Sequence, residues 1–191
     1  MDKPFITDQT YVSKDFTGNQ LAKGDYENCV FEGCNFADAY LDNQNFMDCE
    51  FIDCNLSNAN IRHTTFNEIS FSHCKMVGLK FEDCNTFLIN FSFNDCNLNY
   101  SSFYGLKLLN QQFVSCKMVE ADFTEATLKN AIFDDCDLQG AIFSRTELEK
   151  ADFRTAINFV IDPETSNLKK AHFSKDGTIG LLKKYNLTIE P

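Results

Sequence analysis

"ADFTEATLKNAIFDDCDLQGAIFSRTELEKADF", residues 121–153, puts Phe or Leu at every fifth position: Phe123, Leu128, Phe133, Leu138, Phe143, Leu148 and Phe153. An amphipathic helix repeats its apolar positions about every 3.6 residues and a strand about every 2, so a strict five stays on one face of neither. The spacing fits a coil that turns a corner after each five-residue side and sends one large side chain inward per side. Stacked coils of this kind make a solenoid.

The same phase extends from Phe16, Leu21, Tyr26, Phe31 and Phe36 through Phe51, Phe66 and Phe71 to Phe91, then slips by two residues and resumes at Leu98, Phe103 and Phe113. Two positions before most of these lies a comb of small residues, among them Ala39, Ala59, Thr64, Ser101, Ala121, Ala131 and Ala151, and all nine cysteines fall on it. Residues two apart on an extended segment face the same way, so the small and the large residue both point inward. Cys34, Cys54 and Cys74 are twenty residues apart, as are Cys96, Cys116 and Cys136. Twenty residues are four sides of five. One core column is then expected to be Phe31, Phe51, Phe71, Phe91, Phe113, Phe133, Phe153 and Phe173.

The units "CNFAD", "CNLSN", "ADFTE", "CDLQG" and "ADFRT" resemble those of the pentapeptide-repeat family: a small residue, Asp or Asn, Leu or Phe, then two variable residues. The resemblance covers roughly residues 14–173 and implies an all-β fold, a right-handed quadrilateral β-helix of about eight coils. Gln44, Leu79, Leu106 and Gln111 stand at small positions and are expected to widen the coil locally.

The 191 residues fit one domain, and eight coils at a strand spacing of roughly 4.8 Å give a rod of roughly 38 Å. There is no charged leader followed by an apolar run and no segment apolar enough to span a bilayer, so a cytoplasmic protein without membrane contact is expected. The cysteines occupy slots that Ala or Thr fills in other coils, which is what a small buried hydrophobe does. No metal, cofactor or catalytic set is expected. His63, His73 and His172 are scattered, and no phosphate loop or nucleophile motif is present.

Three segments depart from the period. Residues 1–13 read as out of phase and as a cap on the first coil. Residues 85–97 contain the phase slip and leave Phe87, Leu88 or Phe93 outward in one register or another, either as a self-covered kink, the reading preferred here, or as an apolar contact patch. Residues 174–191 are expected to form a short helix with Leu181, Leu182 and Tyr185 on one side and then a strand with Leu187 and Ile189. This tail either caps the last coil or also pairs with its twin across a two-fold axis. It resembles the tail of the quinolone-resistance (Qnr-type) and mycobacterial gyrase-inhibitor branch of the family, which implies a homodimer.

The net charge is −11. Sorting outward residues by face concentrates the acids on two adjoining sides. One carries Glu32, Glu50, Asp53, Asp134, Asp135 and Asp152 against Arg154; its neighbour carries Asp25, Glu27, Asp48, Glu68, Glu147 and Glu149 against Lys107, Lys129 and Lys150. Such a rod repels nucleic acid and suits a basic groove. The resemblance implies a partner: Qnr-type members are acidic dimeric rods that occupy the DNA-binding saddle of DNA gyrase and topoisomerase IV. The expected function is a DNA mimic that modulates the topoisomerase or protects it from fluoroquinolones. The Qnr proteins of Gram-negative bacteria carry projecting loops, whereas here no insertion exceeds two residues. The alternative is a non-enzymatic repeat scaffold for an unrelated protein.

Overall fold

A five-residue side needs a tight corner, and the corner residues adopt left-handed backbone. Asp8, Asn28, Asp48 and Glu68 form one such column, with φ between +50° and +55°, and Gly33, Asp53, His73, Asp95 and Asp135 belong to another. Asp and Asn visit this region more readily than other non-glycine residues. The Asp or Asn before each large inward residue serves a second turn: Asp122 Oδ1 accepts from the Thr124 amide at 2.8 Å, and Asn35 and Asp137 do the same two residues on.

The computed structural model describes residues 3–189 and is a parallel β-solenoid. Face one is a four-stranded parallel sheet of β1 (Phe5–Thr7), β3 (Asp25–Glu27), β5 (Asn45–Met47) and β7 (Thr65–Asn67). Face two is a nine-stranded parallel sheet of β2 (Thr10–Val12), β4 (Val30–Glu32), β6 (Glu50–Ile52), β8 (Ile69–Ser72), β9 (Phe91–Asn94), β10 (Gln112–Val114), β11 (Ile132–Asp134), β12 (Asp152–Phe153) and β13 (His172–Phe173). The remaining sides are joined by single parallel bridges such as Asn35 to Asn55 and Asp122 to Ile142.

Inside, the rings stack coil on coil. Phe133 lies 5.1 Å from Phe113 and 4.7 Å from Phe153, both nearly parallel, and meets Phe123 and Phe143 edge-on. The face-two ladder is Tyr11, Phe31, Phe51, Phe71, Phe93, Phe113, Phe133, Phe153 and Phe173. This corrects the expected column: Phe93, not Phe91, continues it, and Phe91 fills the inward small slot above Ile69. The two extra residues leave the coil earlier, in a 3-10 turn at Thr86–Leu88 on face one. That turn ends the four-stranded sheet.

Residues 3–13 are also corrected. Ile6 pairs with Tyr26 and Tyr11 with Phe31, so β1 and β2 are in phase and build the first rung. The reading as out of phase failed because Pro4 and Gln9 stand where small residues are usual.

The small slots are more than spacers. Thr64, Ser101 and Thr146 hydroxyls donate to Leu41, Met76 and Phe123 carbonyls of the coil below at 2.7–2.9 Å, and the Cys54 and Cys74 thiols do so to Phe31 and Phe51 at 3.2 and 3.3 Å. Gln44 is tolerated because its amide bonds Gly24 N, Leu21 O and Ala22 O, and Gln111 because it donates to Phe91 O and Gln112 O. All nine cysteines are free and buried. Burial pushes the Cys49 thiol up to about 12 and raises that of Cys34, and the thiolate is the reactive form. Because all nine are buried beneath the coils, the native protein is expected to react with a thiol reagent only after denaturation. Rapid modification of most cysteines without denaturant would contradict this burial.

Candidate protein-binding faces

The register places the acids as the face sorting expected. Asp25 and Glu27 lie on β3, Asp48 and Glu68 at the corners after β5 and β7, Glu32 and Glu50 on β4 and β6, Asp53 at the following corner, and Asp134 and Asp152 on β11 and β12. Asp135 is the corner after Asp134. Asp95 occupies the same corner column and belongs with them; its distance of 20 from Ser115 and 22 from His73 marked it in the sequence once the coil length was known.

Their surroundings differ sharply along the rod. The Arg154 guanidinium grips Asp152, Nε donating to both carboxylate oxygens at 3.0 Å and Nη2 to one at 2.6 Å, and holds its carboxyl below the usual range. Lys129 lies 3.8 Å from Glu147 and 3.7 Å from Glu149, and Asn167 donates to Glu147 at 3.0 Å. Thr155 donates to Asp134 at 2.8 Å. Nearer the other end, Asn45 donates to Asp25 at 2.6 Å and Asn90 to Glu68 at 2.6 Å. Among the described residues, the carboxylates of Glu27, Glu32, Asp48, Glu50, Asp53 and Asp135 have no hydrogen-bond or ion-pair partner.

The acidic surface therefore does not run the whole length. Five of those six unpartnered carboxylates lie on the second and third coils, around face two and the corner it shares with face one. Beyond β9 that shared corner carries Asn110, Asn130, Lys150 and Lys170 in turn. Among the described residues no group of three or more His, Cys, Asp or Glu is placed to hold a metal ion, and no helix is long and apolar enough to cross a membrane.

The tail folds back over the last coil. A 3-10 turn at Asp176–Thr178 leads into α1 (Ile179–Leu182) and a second turn at Lys183–Tyr185. Gly180 sits against Phe159, where a Cβ would come within 2.4 Å of the Phe159 carbonyl oxygen. Leu181 packs on the core, whereas Leu182, Tyr185, Leu187 and Ile189 remain exposed, as does Ile179. The expected common side of Leu181, Leu182 and Tyr185 is thus divided, because four helical residues are too few to carry one stripe. Residues 187–189 form no strand in the single chain. A cleft of about 380 Å³ between α1 and the last coil is lined by Ile157, Phe159, Ser174, Ile179 and Lys183.

Lys184 clamps this tail, bonding Asp162 at 2.5 Å and Glu164 at 2.7 Å, while the Tyr185 hydroxyl donates to Glu164 at 2.9 Å. Lys184 holds the Asp162 carboxyl low, and Lys184 with Tyr185 does the same for Glu164. A depressed carboxylate stabilises the folded contact above its ordinary value, and the contribution is lost as pH falls through the lowered one. The tail is therefore expected to loosen in acid, below about pH 4, before the solenoid does. Amide exchange over Ile179–Tyr185, corrected for intrinsic rates, should show protection at pH 7 and its loss at pH 3 while β10 and β11 stay protected. Equal retention at both sites would contradict the clamp.

Comparison with known proteins agrees with this architecture. Residues 19–86 and 44–113 match the family described as pentapeptide repeat region, and residues 116–157 match pentapeptide repeats. No curated protein matches in sequence. The fold is similar to that of QnrB1, a plasmid-mediated fluoroquinolone resistance protein. The full-length form superposes with a TM-score of 0.62 at 16% identity, covering 95% of this chain and 99% of that one. A trypsin-treated variant of the same protein gives 0.64 at 17%, covering 97% and 99%. HetL, a pentapeptide repeat protein involved in heterocyst differentiation regulation from the cyanobacterium Nostoc sp. strain PCC 7120, gives 0.51 at 18%, covering 90% and 87%. With the five-residue register, the inward Phe ladder and matches over most of its length, this chain belongs to the pentapeptide-repeat family.

Proposed function

We propose that the chain is a DNA-mimicking protein that acts in the cytoplasm by occupying the DNA-binding surface of a type II topoisomerase, DNA gyrase or topoisomerase IV. It modulates the enzyme or shields it from fluoroquinolones, by shape and charge and without chemistry of its own. The observation that carries this reading is the group of unpartnered carboxylates Glu27, Glu32, Asp48, Glu50 and Asp53. They project from adjacent rungs about 4.8 Å apart on two adjoining sheets and their corners, so a basic groove meets closely spaced negative charge that no group of the chain neutralises. The fold likeness to a fluoroquinolone resistance protein supports the choice of partner. The exposed Ile179, Leu182, Tyr185, Leu187 and Ile189 support a homodimer joined through the tail.

The alternative is a scaffold for an unrelated protein. The charge-paired and partly basic C-terminal half favours it, since a DNA mimic has no use for Lys150, Lys169 and Lys170. A supercoiling assay with purified gyrase, titrated with the protein with and without a fluoroquinolone, separates the two. A dose-dependent change in supercoiling or in drug-stabilised cleavage is expected, and no effect in either arm selects the scaffold.

A further inference from the structure

The fifth rung of face one is not a strand. The chain leaves the sheet there with the two extra residues of this coil, in the turn at Thr86–Leu88, and presents Phe87, which is 87% exposed. Leu109, on the next rung of the same face, is 57% exposed. On the N-terminal side of the turn, the face and the corner it shares with face two carry Asp8, Asp25, Glu27, Asp48 and Glu68. On the C-terminal side they carry Lys107, Lys129, Lys150, Lys169 and Lys170, with Glu147 and Glu149 held beside Lys129. The ring stands where the acidic half of the face ends.

The turn that presents Phe87 is built, not frayed. Asn85 accepts from the Phe87 amide at 3.3 Å and donates to Thr65 at 3.2 Å, and on the far side Asn90 donates to Glu68 and bonds Phe66 O through its amide. None of these bonds uses the ring. An apolar group held in water and rimmed by polar residues suits a contact surface better than a fold. The self-covered kink expected for residues 85–97 is therefore set aside in favour of a contact patch.

Charge decides what covers it. With rungs about 4.8 Å apart, Phe87 lies about 5 Å along the rod from the level of Glu68, about 10 Å from that of Asp48 and about 14 Å from that of Glu27. A surface that covers the ring also meets these carboxylates, so it is basic toward the N-terminal coils and apolar where the ring enters. Nucleic acid is repelled by the same acids. We propose that Phe87 is an apolar anchor, which enters a pocket in the wall of the basic groove that receives Glu27 and Asp48, with Leu109 against the rim of that pocket. This inference rests on reading the groove as the DNA-binding surface of a type II topoisomerase. DNA offers phosphates and no projecting aromatic side chain, so the anchor gives the rod a contact that the displaced DNA cannot make. Charge draws the rod to any basic groove, and the ring selects one with a pocket beside it.

The test measures binding of the full chain to purified gyrase by titration calorimetry at about 50, 100 and 200 mM salt, a range over which charge-driven association weakens steadily. F87S should bind about tenfold or more weakly at every salt, with the parent's salt dependence and an unchanged melting temperature. Reversal of Glu27, Asp48 and Glu50 should instead flatten the salt dependence. I142S removes an apolar side chain, 48% exposed, from another side of the rod and should bind like the parent. A parent that binds while F87S binds equally well would overturn the anchor and leave the topoisomerase reading standing. Equal losses in F87S and I142S would also overturn it, since the effect would then belong to apolar surface in general. A parent that does not bind would overturn both the anchor and the topoisomerase reading.

Discussion

Phe133→Ala is expected to destabilise the protein by about 3–5 kcal/mol, the range for truncating a buried Phe. Phe133 is fully buried between the rings of Phe113 and Phe153 and edge-on to Phe123 and Phe143. Collapse around the missing ring would have to shorten the spacing of rungs fixed by backbone bonds above and below, such as Ile132 N to Gln111 O at 2.8 Å and Asp152 N to Ala131 O at 2.8 Å. The cavity therefore stays open. Asp134→Ala, one residue on and exposed, should cost far less, since it gives up one surface hydrogen bond from Thr155. Denaturant unfolding of the two variants checks the pair, and equal losses would mean that inward and outward were misassigned.

The second large effect is on binding. Reversing Glu27, Asp48 and Glu50 together, each to Lys, should weaken association with a type II topoisomerase by roughly one to two orders of magnitude at low salt and leave the far-ultraviolet spectrum unchanged. Reversing Asp152 alone should do much less, because Arg154 already neutralises it. Titration calorimetry with the parent and both variants measures the contrast. A parent that binds while the triple variant binds equally well would remove charge mimicry as the mechanism.

The solenoid was legible because burial imposes its period directly on the sequence: Phe31, Phe51 and Phe133 could be nothing but inward. The phase slip was not, for a physical reason. Residues 87–93 offer Phe87, Leu88, Ile89, Phe91 and Phe93, so several registers bury a ring equally well. What decides is where the backbone leaves the ladder, at Asn85, and returns, at Asn90. The first rung was missed for a related reason, since Ile6 and Tyr11 keep the period while their small-slot partners do not. In the tail, one turn of helix is too short for periodicity to tell Leu181, which packs inward, from Leu182, which does not.

The surface was legible as composition and only partly as chemistry. Which faces carry acids follows from the period. Which acids are free depends on partners twenty residues away on the next coil, as with Asp25 and Asn45 or Glu147 and Asn167. Reading the sequence at that spacing, coil against coil, would have exposed the change from acid to base along face one. Reading face by face summed it away.

If this rod takes the place of DNA on a topoisomerase, the two compete for the enzyme. Purified gyrase is bound to a labelled DNA duplex at low salt and titrated with the full chain, with the label's anisotropy read at each step. Saturable release of the DNA is expected, disappearing as salt is raised to about 0.5 M, where charge-driven association is screened. DNA that stays bound at every concentration, or a larger complex holding enzyme, DNA and rod together, would contradict it.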